Sequence, residues 1–254
     1  MFNSGVVSVS FRPNSCKDII DAAKNAGLSK IEWGSDVHCP AGDLEIARQL
    51  KSDSEKNGIA TNTYGSYFRV GVTPNEEFFK YLESAKALGA EKIRIWAYKK
   101  DIPEHSGEEW DSVVASAREI CEFAEPYGIK ICLECHNGSL TQDYKTALAF
   151  LEAVDHKLFR TYWQPNQLKS LEYNIEAVKA LSKYVEALHV FHIVDNVKMP
   201  LSEGASDWRK YLEILKSELG EKEIPALLEF MPDDKIETLA REAETLHSLL
   251  AEFN

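Results

Sequence analysis

Four polar residues close short apolar runs in the second half of the chain, and together they could hold a divalent metal. Glu134 follows Ile131, Cys132 and Leu133; Gln164 follows Tyr162 and Trp163; His192 follows Val190 and Phe191; Glu229 follows Leu227 and Leu228. Side chains alternate across a strand. If Leu133, Leu228 and Phe230 meet covering helices, then Glu134 and Glu229 point the other way, to the interior of the sheet. By the same parity His192 joins Leu188 and Val190, and His189 falls on the opposite face, where a structural role is expected for it. Two carboxylates, one imidazole and one amide oxygen form an oxygen-rich site suited to Mn2+, Mg2+, Co2+ or Zn2+. Burying two carboxylates together without a cation would be costly.

The elements that must position these groups show as an alternation of short apolar runs and longer amphipathic stretches. Candidate strands are 6–10, 30–33, 60–64, 92–96, 130–134, 160–164, 185–192 and 226–230. Between them lie helical patterns. Trp208, Tyr211, Leu212, Leu215 and Leu219 share one helix face, with Asp207 where an N-cap belongs. Ile236, Leu239, Ala243, Leu246 and Leu250 repeat the pattern. Asn57-Gly58, Tyr127-Gly128 and Leu219-Gly220 each end a helix just before a strand. Strand–helix alternation implies parallel pairing with right-handed crossovers. Eight such units predict an α/β fold, a (β/α)8 TIM barrel filling residues 1–254 as one domain. No glycine-rich nucleotide loop follows any strand.

The 254 residues match the ~250 that such a barrel needs. A formal net charge of −12 argues against nucleic acid as a partner, since phosphates require Lys and Arg. No apolar run reaches the ~18 residues of a membrane span, and the first residues lack a signal-peptide pattern. Five scattered cysteines read as reduced thiols, which predicts a cytoplasmic protein. Cys132 and Cys135 look like a CxxC pair. Within a strand their sulfurs face opposite sides, so neither a redox nor a zinc role is expected.

Active sites of such barrels lie at the C-terminal ends of the strands. Other polar and aromatic residues there are candidates for substrate contact. Glu32 ends strand two, either touching substrate or supporting a neighbour. Trp96 ends strand four and, with Trp33 and Trp163, could floor a sugar pocket. His136 and Asn137 follow Glu134. Arg12, Arg69 and Arg94 lie at or just past strands one, three and four. They are candidates for a substrate anion, with pairing to an inner glutamate the alternative for Arg94.

These residues resemble the xylose isomerase-like barrels, the sugar phosphate isomerase/epimerase group. The resemblance spans essentially the whole chain. It rests on Leu133-Glu134, His192-Ile193-Val194-Asp195, the Gly204…Asp207-Trp208 segment and Leu228-Glu229-Phe230, in that order and spacing. It implies a metal set of Glu134, Gln164, His192 and Glu229. Gln164 stands where family members usually carry Asp, which leaves the site one negative charge short. Gln167 stands where the family's substrate-contacting His belongs. His38 occupies a loop that often touches substrate in this group.

The expected activity is metal-dependent isomerisation or epimerisation of a small sugar, sugar phosphate or related polyol ketone. One glutamate removes a proton beside the carbonyl, giving an enediolate, and the proton returns elsewhere or from the other face. Glu134 and Glu229 on either side of the substrate suit epimerisation. A dehydratase acting on a keto-polyol through the same site is the alternative. So is a non-catalytic sugar-binding barrel in which Gln164 marks a weakened metal site. Few histidines and the acidic charge argue against a nuclease on this fold. The partner is a small carbohydrate, with no nucleic acid and no membrane, and a homo-oligomer is compatible with the sequence.

Overall fold

The first strand of the structure already departs from the sequence pattern. In the computed structural model, which describes residues 1–254, β1 is Phe2–Val7 rather than 6–10, and Ser8–Phe11 is a short 3-10 turn. Asn3, Ser4 and Gly5 carry no apolar signal. They belong to the strand because Phe2–Val6 pair with the last barrel strand and Gly5 packs hard against the second. A Cβ on Gly5 would lie 2.7 Å from both Leu227 Cδ2 and the Lys30 carbonyl.

The other strands are β2 (Lys30–Gly34), β3 (Ala60–Val70), β4 (Lys92–Ala97), β5 (Lys130–Glu134), β6 (Phe159–Trp163), β7 (Val185–Val190), β8 (His192–Val194), β9 (Val197–Met199) and β10 (Ile224–Leu228). Eight of them, β1 to β7 and β10, pair in parallel and close into a barrel, with β10 between β7 and β1. The helices are α1 (Cys16–Asn25), α2 (Leu44–Lys56), α3 (Phe78–Leu88), α4 (Glu108–Ala124), α5 (Tyr144–Val154), α6 (Leu171–Leu181), α7 (Ala205–Leu219) and α8 (Leu239–Ala251). The chain is a (β/α)8 TIM barrel. No helix is long and apolar enough to cross a membrane.

The strand at 185–192 is two elements. β7 stops at Val190, and β8 and β9 form a separate antiparallel hairpin in which His192 pairs with Met199. At α7 the expected face is buried through Trp208, Tyr211, Leu212 and Leu215. Its N-cap is Gly204, not Asp207, which sits inside the first turn. An earlier start lets Gly204 pass close beneath His192.

The main apolar core lies between strands and helices. A second small buried cluster, Cys132, Tyr162 and Ala187, sits apart from it, on the strand faces that turn into the barrel. Strand alternation builds that interior in tiers. Lys92, Arg94 and Trp96 rise along β4, and Lys130, Cys132 and Glu134 along β5. The lower tier is held by ion pairs. Glu186, almost fully buried, receives Lys130 Nζ at 2.9 Å and Lys222 Nζ at 2.8 Å. The upper tier is the candidate site.

Candidate active site and metal centre

Glu134 ends β5 and Glu229 follows β10, and both are buried. The Glu229 backbone N–H donates to the Val190 carbonyl at 3.0 Å, which fixes its height beside β7. Between them stands His189, fully buried. Candidate donor atoms of Glu134, His189 and Glu229 all lie within 4.8 Å of one another. Three oxygens converge on His189 Nδ1: Gln164 Oε1 at 3.0 Å, Glu229 Oε2 at 3.4 Å and Glu134 Oε1 at 3.5 Å.

His189 therefore occupies the place expected for His192. The physical reason is the end of β7. Leu188 and Val190 are buried among the helix-facing core, so His189 and Ala187 turn into the barrel. The rule that places Leu133 outward and Glu134 inward, applied to Leu188 and Val190, finds His189. His192 lies beyond the strand, on the hairpin, and lines a different cavity.

The floor of the site is an ion network. Arg94, almost fully buried, pairs with Glu134 Oε2 through Nη1, and its Nε lies 3.6 Å from Glu32 Oε1. Trp96 Nε1 also donates to Glu134 Oε2, at 2.5 Å. Glu32 Oε1 faces His189 Nε2 at 3.5 Å. Burial works to raise the Glu134 pKa, but Arg94 and then His189 outweigh it and hold the carboxyl well below the usual range. For His189, burial works to lower the pKa, and Glu229, Glu134 and Glu32 together push it well above the usual value.

The donor set fits a divalent ion: Glu134, Glu229 and His189 bring donor atoms within 4.8 Å of one another, and Gln164 Oε1 lies 3.0 Å from His189 Nδ1. Glu229 Oε2 is buried and makes no hydrogen bond within the protein, a costly state that a cation would relieve. Glu32 beside Nε2 is placed to orient the imidazole so that Nδ1 faces the other donors, as carboxylates behind metal-bound histidines do.

Above the cluster opens a cavity of about 280 Å3. Trp96, His136, Asn137, Gln164 and Gln167 line it, and Arg12 stands at its rim. His136 is tilted against Trp96 at 4.7 Å between ring centroids. Arg12 is bound by Asp36 at 2.5 Å and donates to the Tyr67 hydroxyl, so much of its charge is met within the protein. Tyr67, Phe191 and Phe230 also line the cavity. The sequence pattern has Phe230 facing the helices, but β10 ends at Leu228 and the backbone turns at Phe230, with φ 58°, so strand alternation no longer applies there.

Three expected contacts lie elsewhere. His38 is buried, with Nδ1 3.1 Å from Ser8 Oγ and Nε2 3.2 Å from the Asn14 carbonyl, so both ring nitrogens serve the loop. Arg69 donates to the Tyr98 carbonyl at 2.6 Å and stacks on Trp96, away from the cavity lining. Glu32 lies below the cavity floor, in the network of Arg94 and His189.

The molecule is thus a closed (β/α)8 barrel with a buried glutamate–histidine–glutamate cluster at the C-terminal ends of its strands, a cluster that suggests a divalent metal. The family profile described as xylose isomerase-like TIM barrel matches residues 20–249, and the chain belongs to that family. A 3-dehydroshikimate dehydratase of Bacillus anthracis is 26% identical over 164 residues. That match covers 59% of this chain and 56% of the dehydratase, just over half its length. The crystal structure of the probable 3-DHS dehydratase from the same organism superposes with a TM-score of 0.80 at 19% identity, covering 97% of this chain and 99% of that one. A D-tagatose 3-epimerase-like protein gives 0.77 at 19% identity, covering 99% and 98%. The IOLI protein with a bound zinc atom gives 0.75 at 18% identity, covering 99% of each chain. The structural likenesses establish the fold.

Proposed function

We propose that this chain is a metal-dependent enzyme that moves a proton beside the carbonyl of a small polyhydroxylated ketone, as a sugar isomerase or epimerase. The observation that carries this reading is the convergence of Glu134 Oε1, Glu229 Oε2 and Gln164 Oε1 on His189 Nδ1 at the cavity floor. Glu134, Gln164, His189 and Glu229 would hold the ion. When bound, it supplies Lewis-acid polarisation of the substrate carbonyl.

The side chains divide the remaining work. Glu229, free of ion pairs to Lys or Arg, is the base that takes the proton. Glu134 is held on one oxygen by Arg94 and Trp96 and presents the other to the site. That fixes its position and reduces its basicity. Trp96 offers apolar ring surface at the cavity wall to a sugar. His136, Asn137 and Gln167 supply donors and acceptors for hydroxyl groups.

One feature favours a second reading, a dehydratase. The Arg94–Glu134 pair leaves Glu229 as the one of the two glutamates without a Lys or Arg partner. Elimination of a β-hydroxyl needs one base, whereas epimerisation draws on groups at both faces. The dehydratase relative points the same way.

The test is NMR of the Mn2+-loaded protein in D2O with D-fructose, D-tagatose and 3-dehydroshikimate. Deuterium entering at the carbon beside the carbonyl, with a new epimer, supports the first reading. Loss of water from 3-dehydroshikimate to an aromatic product supports the second. Absence of exchange and of water loss in all three overturns both.

A further inference from the structure

A second cavity, of about 270 Å3, adjoins the first and is nearly equal to it in size. Pro165, Asn166, Gln167 and Phe191 line both. Small-molecule sites commonly run from roughly 300 to 1,000 Å3. The cavity above Glu134 and Glu229 is therefore sized for one small ring, and a single monosaccharide leaves the neighbouring space unused.

The second cavity has the chemistry of a polyol site. Its buried wall is aromatic, from Trp208, Tyr211 and Phe191, with Trp208 Nε1 donating to the Phe191 carbonyl at 2.9 Å. Opposing polar groups are His192, Asp195, Asp207 and Gln167. Carboxylates and amides suit hydroxyl groups, and an aromatic face suits the apolar side of a sugar ring. Two aspartates against one lysine, Lys169, disfavour a phosphate here and favour a neutral polyol.

His192 is seated deliberately. A Cβ on Gly204 would fall 2.5 Å from His192 Nδ1 and 2.6 Å from its Cγ. Gly204 has φ −91°, which any residue adopts, so its role is to make room for the imidazole. The hairpin of β8 and β9 carries His192 and Asp195 to the cavity, and the α7 start supplies Gly204 and Asp207.

We infer that the cavity lined by His192, Asp207 and Trp208 is a subsite for a second sugar or polyol ring, so that the substrate is a two-ring keto-sugar of disaccharide size. This rests on the sugar-ketone reading above. The reacting ring lies over Glu134 and Glu229. The distal ring crosses the edge formed by Gln167 and Phe191.

The experiment is calorimetry and saturation-transfer NMR on the full chain loaded with diamagnetic Zn2+, comparing D-fructose with its glucosyl ketoses isomaltulose and turanose. At least one glucosyl ketose is expected to bind tenfold or more tightly than D-fructose, with saturation reaching the glucosyl protons. His192→Ala and Gly204→Ala are each expected to shrink that advantage to threefold or less. D-Fructose binding with no gain for either glucosyl ketose overturns the subsite alone. So does an advantage that survives both substitutions. Failure of all three sugars to bind overturns the sugar-ketone reading and the subsite with it.

Discussion

Arg94 lies beneath Glu134 as a fully enclosed ion pair, each side chain 3% exposed, and the same guanidinium reaches toward Glu32. This cation sits where the sequence suggested a substrate anion or an inner glutamate as its partner. It serves the glutamate. Three buried carboxylates, Glu32, Glu134 and Glu229, surround one arginine and one histidine. The surplus of carboxylates over cations is the charge balance that a bound cation would complete.

Removing the arginine should expose that imbalance. Arg94→Met is expected to cost about 3–5 kcal/mol, the usual effect of stripping one partner from a buried pair. Urea denaturation of the metal-free protein measures it. The Glu134 carboxyl is depressed in the folded state, because Arg94 outweighs burial. Its contribution is thus present above the ordinary carboxylate range and fades as pH falls through the folded value. The gap between wild type and Arg94→Met should narrow in acid. A constant gap would show that the loss is packing alone.

His189 and His192 make opposite predictions for metal binding. His189→Ala should abolish the stabilisation given by Mn2+ or Zn2+, which for a site held at 100-fold above its Kd is about 2.7 kcal/mol. His192→Ala should retain it. Differential scanning fluorimetry with and without metal reads both. Retained stabilisation in His189→Ala would remove that residue from the ligand set.

Metal binding should also release a proton. In the metal-free protein the His189 pKa is raised well above 6.5, with Glu229, Glu134 and Glu32 outweighing burial. Because the folded value is the higher one, the stabilisation from protonated His189 is complete below the ordinary histidine range and is lost as pH rises through the folded value. A ring held protonated by these carboxylates must lose its proton to donate to a metal. Calorimetric titration of Mn2+ in two buffers of different ionisation enthalpy should report about one proton released per ion. Equal enthalpies in both buffers would contradict this.

The two glutamates should separate fold from chemistry. Glu229→Gln is expected to lower turnover by about 10²–10⁴-fold, the usual contribution of a positioned base, with little loss of structure. Glu134→Gln should lower turnover as well, and should also destabilise the protein by leaving Arg94 without its closest partner. Turnover on the substrate identified by NMR, beside thermal denaturation, checks the pair. Full activity in Glu229→Gln would eliminate it as the base.

Gly65 offers a steric probe of the network. A Cβ there would lie 2.8 Å from Glu32 Oε1 and 3.1 Å from Arg94 Nη2. Gly65→Ala should cost about 1–3 kcal/mol by overpacking and should weaken metal binding by displacing Glu32 from behind His189. An unchanged denaturation midpoint would show that the floor yields without strain.

The sequence by itself determined the barrel and the two glutamates. The alternation of apolar runs with helical stripes names the fold, because parallel strands buried on both faces need covering helices. Leu133 beside Glu134 and Leu228 beside Glu229 set the inward carboxylates, because alternation is a local property of a strand. What only the tertiary structure decided was where strands end and what lies across the barrel. β7 stops at Val190, the chain turns into a hairpin, and parity counted through His192 loses its meaning. That turn carries His192 out of the barrel and over Gly204, whereas alternation from Leu188 and Val190 already turns His189 inward. Likewise, nothing in the spacing of Arg94, Glu32 and Glu134 announces their pairing, since it depends on three strands meeting at one height inside a closed sheet.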